Sequence, residues 1–97
     1  MSTMSEDLKS AISFIVEQIV DGPEAVDVSV VVSTTSVIIQ ISTKKEDCGK
    51  VIGKKGKTVS ALKTIAMAVK NTKFPNDPRN VTIEILEDEG TNYTMSK

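Results

Sequence analysis

Apolar residues recur at two different periods along the 97-residue chain, and the switches between them outline its elements. Between Ser5 and Val20, Leu8, Ile12, Ile15, Val16 and Ile19 fall at i, i+4, i+7, i+8 and i+11, one apolar stripe of an amphipathic helix. Asp21-Gly22-Pro23 ends it: Gly22 can supply a left-handed cap, and Pro23 cannot continue the ladder. Phe14 falls off the stripe, either as an ordinary outward aromatic or as a partner contact. Strict alternation follows. Val26, Val28, Val30 and Val32 point one way with Asp27, Ser29 and Ser33 between them, a half-buried strand. After a polar turn at Ser33 to Ser36, Val37, Ile39 and Ile41 repeat the pattern against Gln40 and Ser42, so the two strands read as a hairpin.

Thr43 and Glu46 have capping-box spacing, which predicts a short helix with Cys48, Val51 and Ile52 on one side, ending at Gly53. A longer helix starts just after Gly56, buries Val59, Leu62, Ile65, Ala66 and Val69, and ends near Asn71, before the breaker cluster Phe74-Pro75-Asn76-Asp77-Pro78. Val81, Ile83 and Ile85 then alternate with Thr82 and Glu84 as a third strand. Glu87 to Lys97 is polar and without periodicity, which predicts a frayed tail. The order helix, strand, strand, short helix, GKKG, long helix, strand predicts an α+β domain: a three-stranded sheet with helices on one face. Its expected limits are residues 5–87, between a flexible N-terminus (1–4) and a flexible acidic and polar tail (88–97).

Size and composition narrow the function. One small core leaves little room for a deep, water-excluding cleft. Cys48 is the single cysteine, and with no histidine in the chain it has no base to activate it. No paired carboxylates or metal-ligand cluster occur at usable spacing, so neither an enzyme nor a metal or other cofactor is expected. No apolar run resembles a signal peptide or a spanning helix, which makes a reducing cytoplasm the expected compartment, without a membrane partner.

The net charge of −1 hides a division. Met1 to Thr43 carries one base against six acids, net −5. Lys44 to Phe74 carries nine lysines against Glu46 and Asp47, net +7. Pro75 to Lys97 carries two bases against five acids, net −3. Gathering the positive excess in one segment points to a polyanion site; a solvated helix face is the other reading of such a run.

Within it stands Gly53-Lys54-Lys55-Gly56-Lys57-Thr58. A nucleotide-binding P-loop would need its first glycine at position 51, which is Val51, and a strand where Asp47 to Ile52 reads as a helix. An extended phosphodiester fits better. Glycines at both ends let a sugar-phosphate chain approach the backbone, and no Ser or Asp caps the following helix, whose first N–H groups then face the loop. Lys54 and Lys55 lie at the tip, with Lys50 and Lys57 within a turn of it.

Val51-Ile52-Gly53-Lys54-Lys55-Gly56 resembles the Ile-Gly-x-x-Gly loop joining two helices in KH domains, a loop that clamps about four nucleotides of single-stranded backbone. The helix and strand preceding the motif resemble the type II arrangement, and the resemblance covers roughly residues 5 to 87. Glu46 to Lys57 is closer still to the small bacterial KhpA-type RNA-binding proteins. That resemblance implies a cytoplasmic, non-catalytic protein that binds single-stranded RNA through Lys50, Val51, Ile52, Gly53, Lys54, Lys55, Gly56 and Lys57. It also implies an RNA-chaperone-like or other post-transcriptional role linked to cell elongation and division. The partners it implies are a second copy, as a homodimer, and a larger Jag-type KH protein. Two features depart from the family: Lys57 stands where arginine is common, keeping the charge without bidentate geometry, and the chain as a whole is acidic.

The only aromatics are Phe14, Phe74 and Tyr93, none near the loop, so no stacking platform is expected. Bases would lie against aliphatic side chains. Val51, Ile52 and Val59 could wall such a groove or belong to the core, since each also fits a buried helical stripe.

Overall fold

The computed structural model describes residues 3–87 and 92–95. Helix α1 runs from Met4 to Ile19. It starts earlier than its apolar stripe because Thr3 and Glu6 form a capping box: Thr3 Oγ1 accepts the Glu6 N–H at 3.2 Å, and Glu6 Oε1 accepts the Thr3 N–H at 3.0 Å. Met4 is buried, so the flexible N-terminus expected over residues 1–4 does not include Thr3 and Met4, and residues 1–2 lie outside the described residues. Gly22 does not form a left-handed cap. Its φ is −113°, and the chain leaves α1 through extended Val20 before Pro23–Ala25 makes one 3₁₀ turn.

Strands β1 (Asp27–Val32) and β2 (Ser36–Thr43) form the expected antiparallel hairpin, with Val28 opposite Ile41 and Val30 opposite Ile39. Strand β3 (Asn80–Glu87) pairs with β2 in parallel, setting Val37, Ile39 and Ile41 beside Val81, Ile83 and Ile85. A parallel neighbour needs a long crossover. Here it contains α2 (Lys45–Ile52), the GKKG turn and α3 (Lys57–Lys73).

The inward positions of the sheet meet Leu8, Ile12 and Val16 of α1, Val51 of α2, and Val59, Leu62 and Ala66 of α3 in one core. Full burial stabilises each of the large aliphatic residues by about 1.5–3 kcal/mol. Toward its end β1 outruns this core, leaving Val31 and Val32 exposed.

Three readings of the pattern are corrected. Thr43 caps no helix: β2 buries every second residue from Val37 onward, and Thr43 continues that alternation inward. Its hydroxyl donates to the Lys44 carbonyl at 3.0 Å and lies 3.3 Å from Cys48 Sγ. In α3 the buried stripe takes Lys63 and Lys70 in place of Ile65, which is exposed. Lys70 is 3% exposed, and its Nζ donates to the Asp77 carbonyl at 2.8 Å. Finally, a short strand β4 (Asn92–Met95) pairs antiparallel with β3, so the sheet has four strands in the order β1-β2-β3-β4. The expected tail therefore contains a strand, while residues 88–91 and 96–97 lie outside the described residues.

Candidate nucleic-acid interface

The loop between α2 and α3 is built by backbone conformations that most residues avoid. Gly53 has φ +80° and ends α2 by donating its N–H to the Gly49 carbonyl at 2.8 Å. A β-carbon there would stand 2.3 Å from Thr58 Oγ1 and 2.6 Å from the Thr58 backbone nitrogen, so only glycine fits. Gly56 has φ +75° and caps α3. Between them Lys55 adopts φ 57°, ψ 27°, a left-handed conformation that disfavours a residue with a β-carbon by about 1–2 kcal/mol. Such local strain is typical of sites where function fixes the backbone.

No side chain caps α3. Part of its N-terminus is nonetheless satisfied from within: the Gly56 N–H donates to the Gly53 carbonyl at 3.1 Å, and the Lys57 N–H donates to the Lys54 carbonyl. The expected row of open donors is shortened accordingly. What the loop presents most openly is side-chain charge, because Lys54, Lys55 and Lys57 are all exposed and have no ion pair among the described residues.

The other sequence-predicted site residues are placed differently. Val51 and Val59 are fully buried and belong to the core. Ile52 is half-buried at the edge of that core and is the one of the three left to touch a ligand. Lys50 is bound to acids: its Nζ meets Asp21 Oδ2 and lies 3.6 Å from Asp47 Oδ1. Asp21 first, against the opposing effect of burial, holds Lys50 above its usual pKa.

Asp47 is the functional-looking residue that periodicity missed. Only 1% exposed, its carboxylate accepts the backbone N–H groups of Asp21 at 3.2 Å and Gly22 at 3.1 Å. Burial pushes its carboxyl up, but those two hydrogen bonds and Lys50 together outweigh it, leaving its pKa below the ordinary value. Asp47 thus ties the end of α1 to the helix that carries the loop. Its signal in the sequence was an acid in the first turn of a helix, which normally reads as a dipole partner only.

Other lysines of the basic segment are also matched to the acidic flanks. Lys44 lies 3.4 Å from Glu24, and Lys73 lies 3.6 Å from Asp7. The division of charge along the sequence is in part undone in space, and the positive excess narrows to the loop. No cluster of His, Cys, Asp and Glu able to hold a metal occurs among the described residues. Nor is any described helix long and apolar enough to cross a membrane.

Two helices joined by a Gly-x-x-Gly turn, inside a β-β-α-α-β order preceded by one helix, define a KH domain of type II. The model of the family "KhpA/KhpB, KH domain" matches residues 9–85, and the chain belongs to that family. The expectation of a non-catalytic protein stands with this membership. Among its relatives, the RNA-binding protein KhpA of Chlamydia trachomatis serovar D is 35% identical over 81 residues, covering 84% of this chain and 99% of the relative. The RNA-binding protein KhpA of Clostridium perfringens is 36% identical over 81 residues, covering 81% of this chain and all of the relative. The RNA-binding protein KhpA of Listeria monocytogenes is 36% identical over 80 residues, covering 82% and all of the relative. No solved structure gives a significant match.

Proposed function

We propose that this protein is a single-stranded RNA-binding module that grips the sugar-phosphate backbone with Lys54, Lys55 and Lys57. The observation that carries this reading is the exposure of three unpaired lysines around a turn whose left-handed backbone admits close approach. The names of its relatives support the same ligand class. Recognition rests on charge and on the aliphatic edge at Ile52, and the ligand is a single strand, the class whose backbone a Gly-x-x-Gly loop clamps. The Lys54→Asp, Lys55→Asp double variant tests it. RNA affinity falls by at least about 100-fold while the melting temperature is unchanged, and wild-type affinity also drops steeply with salt as phosphate contacts release counterions. A folded double variant with undiminished affinity defeats the reading. The site acts in the cytoplasm, in an RNA-chaperone-like or other post-transcriptional role connected with cell elongation and division.

A second reading, compatible with the first, is that the protein works as a homodimer or docks on a larger Jag-type KH protein. Phe14 is 66% exposed beside a groove of about 500 Å³ between α1 and α3, lined also by Ala11, Ile15, Val69 and Lys73. Val69 lies twelve residues beyond Lys57, about 18 Å along α3, so an occupied groove leaves the loop free. Two coupled loops would raise effective concentration on one RNA. Sedimentation of wild type and Phe14→Ala tests this: a dimeric mass that falls on substitution supports it, and an unchanged mass counts against it.

A further inference from the structure

Of Lys50, Lys54, Lys55 and Lys57, Lys50 alone has its charge withheld by acids among the described residues. It lies one turn before Gly53 with its side chain 43% accessible, yet Asp21 and Asp47 both hold its ammonium. The two acids are not equivalent. Asp47 is buried and satisfied by two backbone N–H groups, so it stays hydrogen-bonded whether or not Lys50 is present. Asp21 has an 85% accessible side chain, and Lys50 is the one partner of its carboxylate among the described residues. The backbone of Asp21 is already fixed by Asp47, so its side chain is not needed to anchor the end of α1.

We infer that Asp21 is an internal rival of the RNA phosphate for Lys50. In the free protein the carboxylate occupies the ammonium; when a phosphodiester lies across the loop it displaces Asp21, and Lys50 joins Lys54, Lys55 and Lys57 on the RNA. An exposed ion pair is weak enough to be exchanged in this way. Asp21 therefore sets the affinity of the site by holding back a fourth cation, and the acidic flank acts as a brake on the basic segment. This inference rests on the RNA-binding reading above.

The test is a double-mutant cycle with a labelled random-sequence single-stranded RNA pool as probe, run beside the Lys54→Asp, Lys55→Asp variant. Asp21→Asn raises affinity about two- to fivefold at low salt. The slope of log affinity against log salt changes by less than one contact's share, about 0.7 on a single strand, because Lys50 reaches a phosphate in both complexes. In a Lys50→Met background the same substitution gives no gain; Lys50→Gln replaces that background if the methionine variant does not fold. Equal gains in both backgrounds mean a long-range field effect and overturn the inference, as does no gain or a loss in the wild-type background. If the Lys54→Asp, Lys55→Asp variant binds as well as wild type, it is the RNA-binding reading that fails.

Discussion

Two sets of lysines from the same basic stretch do opposite work. Lys44, Lys50 and Lys73 are matched to Glu24, Asp21 with Asp47, and Asp7, so they join the acidic N-terminal part of the chain to the helices behind it. Lys54, Lys55 and Lys57 have no such partner among the described residues and surround a turn that holds them out into solvent. Charge counted along a sequence does not separate the sets; backbone geometry does. The paired set sits on regular helix or at its cap, where acids from neighbouring elements can reach it. The free set sits on the turn and on the first residue of α3, where two glycines and a left-handed lysine carry the chain away from its neighbours.

The sharpest way to break this contrast is to change the turn itself. Gly53→Ala lowers stability by about 1–3 kcal/mol from its left-handed backbone alone, with the clash against Thr58 added, and weakens RNA binding with it. Denaturant melts and a binding titration read both losses. Gly49→Ala is the control: nothing stands within 4 Å of a β-carbon there, and a helix-interior alanine raises stability by about 0.5–1 kcal/mol.

Acid tests the carboxylates on which the paired set depends. Asp47 lies below its ordinary value of 3.8 and Glu24 below 4.5. Asp77 lies far below 3.8, chiefly through the Arg79 guanidinium, which also donates to the Ser33 carbonyl at 3.1 Å. A carboxyl whose folded pKa is depressed stabilises the fold above its unfolded pKa and loses that contribution as pH falls through the folded one. The melting temperature is therefore flat from pH 7 to about 5 and drops only below about pH 4. Asp77→Asn removes part of that acid-dependent drop.

Lys55→Gly separates stability from binding within one residue. Relief of the left-handed β-carbon raises stability by about 1 kcal/mol, while loss of the tip ammonium weakens RNA binding severalfold. The smallest effect belongs to Lys73, the paired lysine at the far end of α3: Lys73→Met changes RNA affinity by less than about twofold and stability by at most about 1 kcal/mol.

Much of this design is legible in the sequence. The buried residues of β2 and β3 follow the period-two pattern position by position, and Gly53 and Gly56 announce the turn. What escaped the pattern did so for physical reasons. Lys70 reads as polar, but its stem lies in the core with the head on a carbonyl. Val51 and Val59 fit a core face and a groove wall equally well until burial decides between them. Strand β4 is four residues long, and its one alternation, Tyr93 and Met95 between Asn92 and Thr94, is too brief to stand out from the polar stretch around it. Asp47, Lys50 and Asp21 meet across separations of 26 and 29 residues, which no local period encodes.

The parallel pairing of β2 with β3 also bears on how the protein is made. A ribosome delivers Ser36–Thr43 well before Asn80–Glu87, so the isoleucine-bearing strand waits with one rim bare while α2, the turn and α3 emerge. A nascent or truncated chain that stops short of Asn80 carries every lysine of the grip but lacks the strand that closes the sheet beneath them.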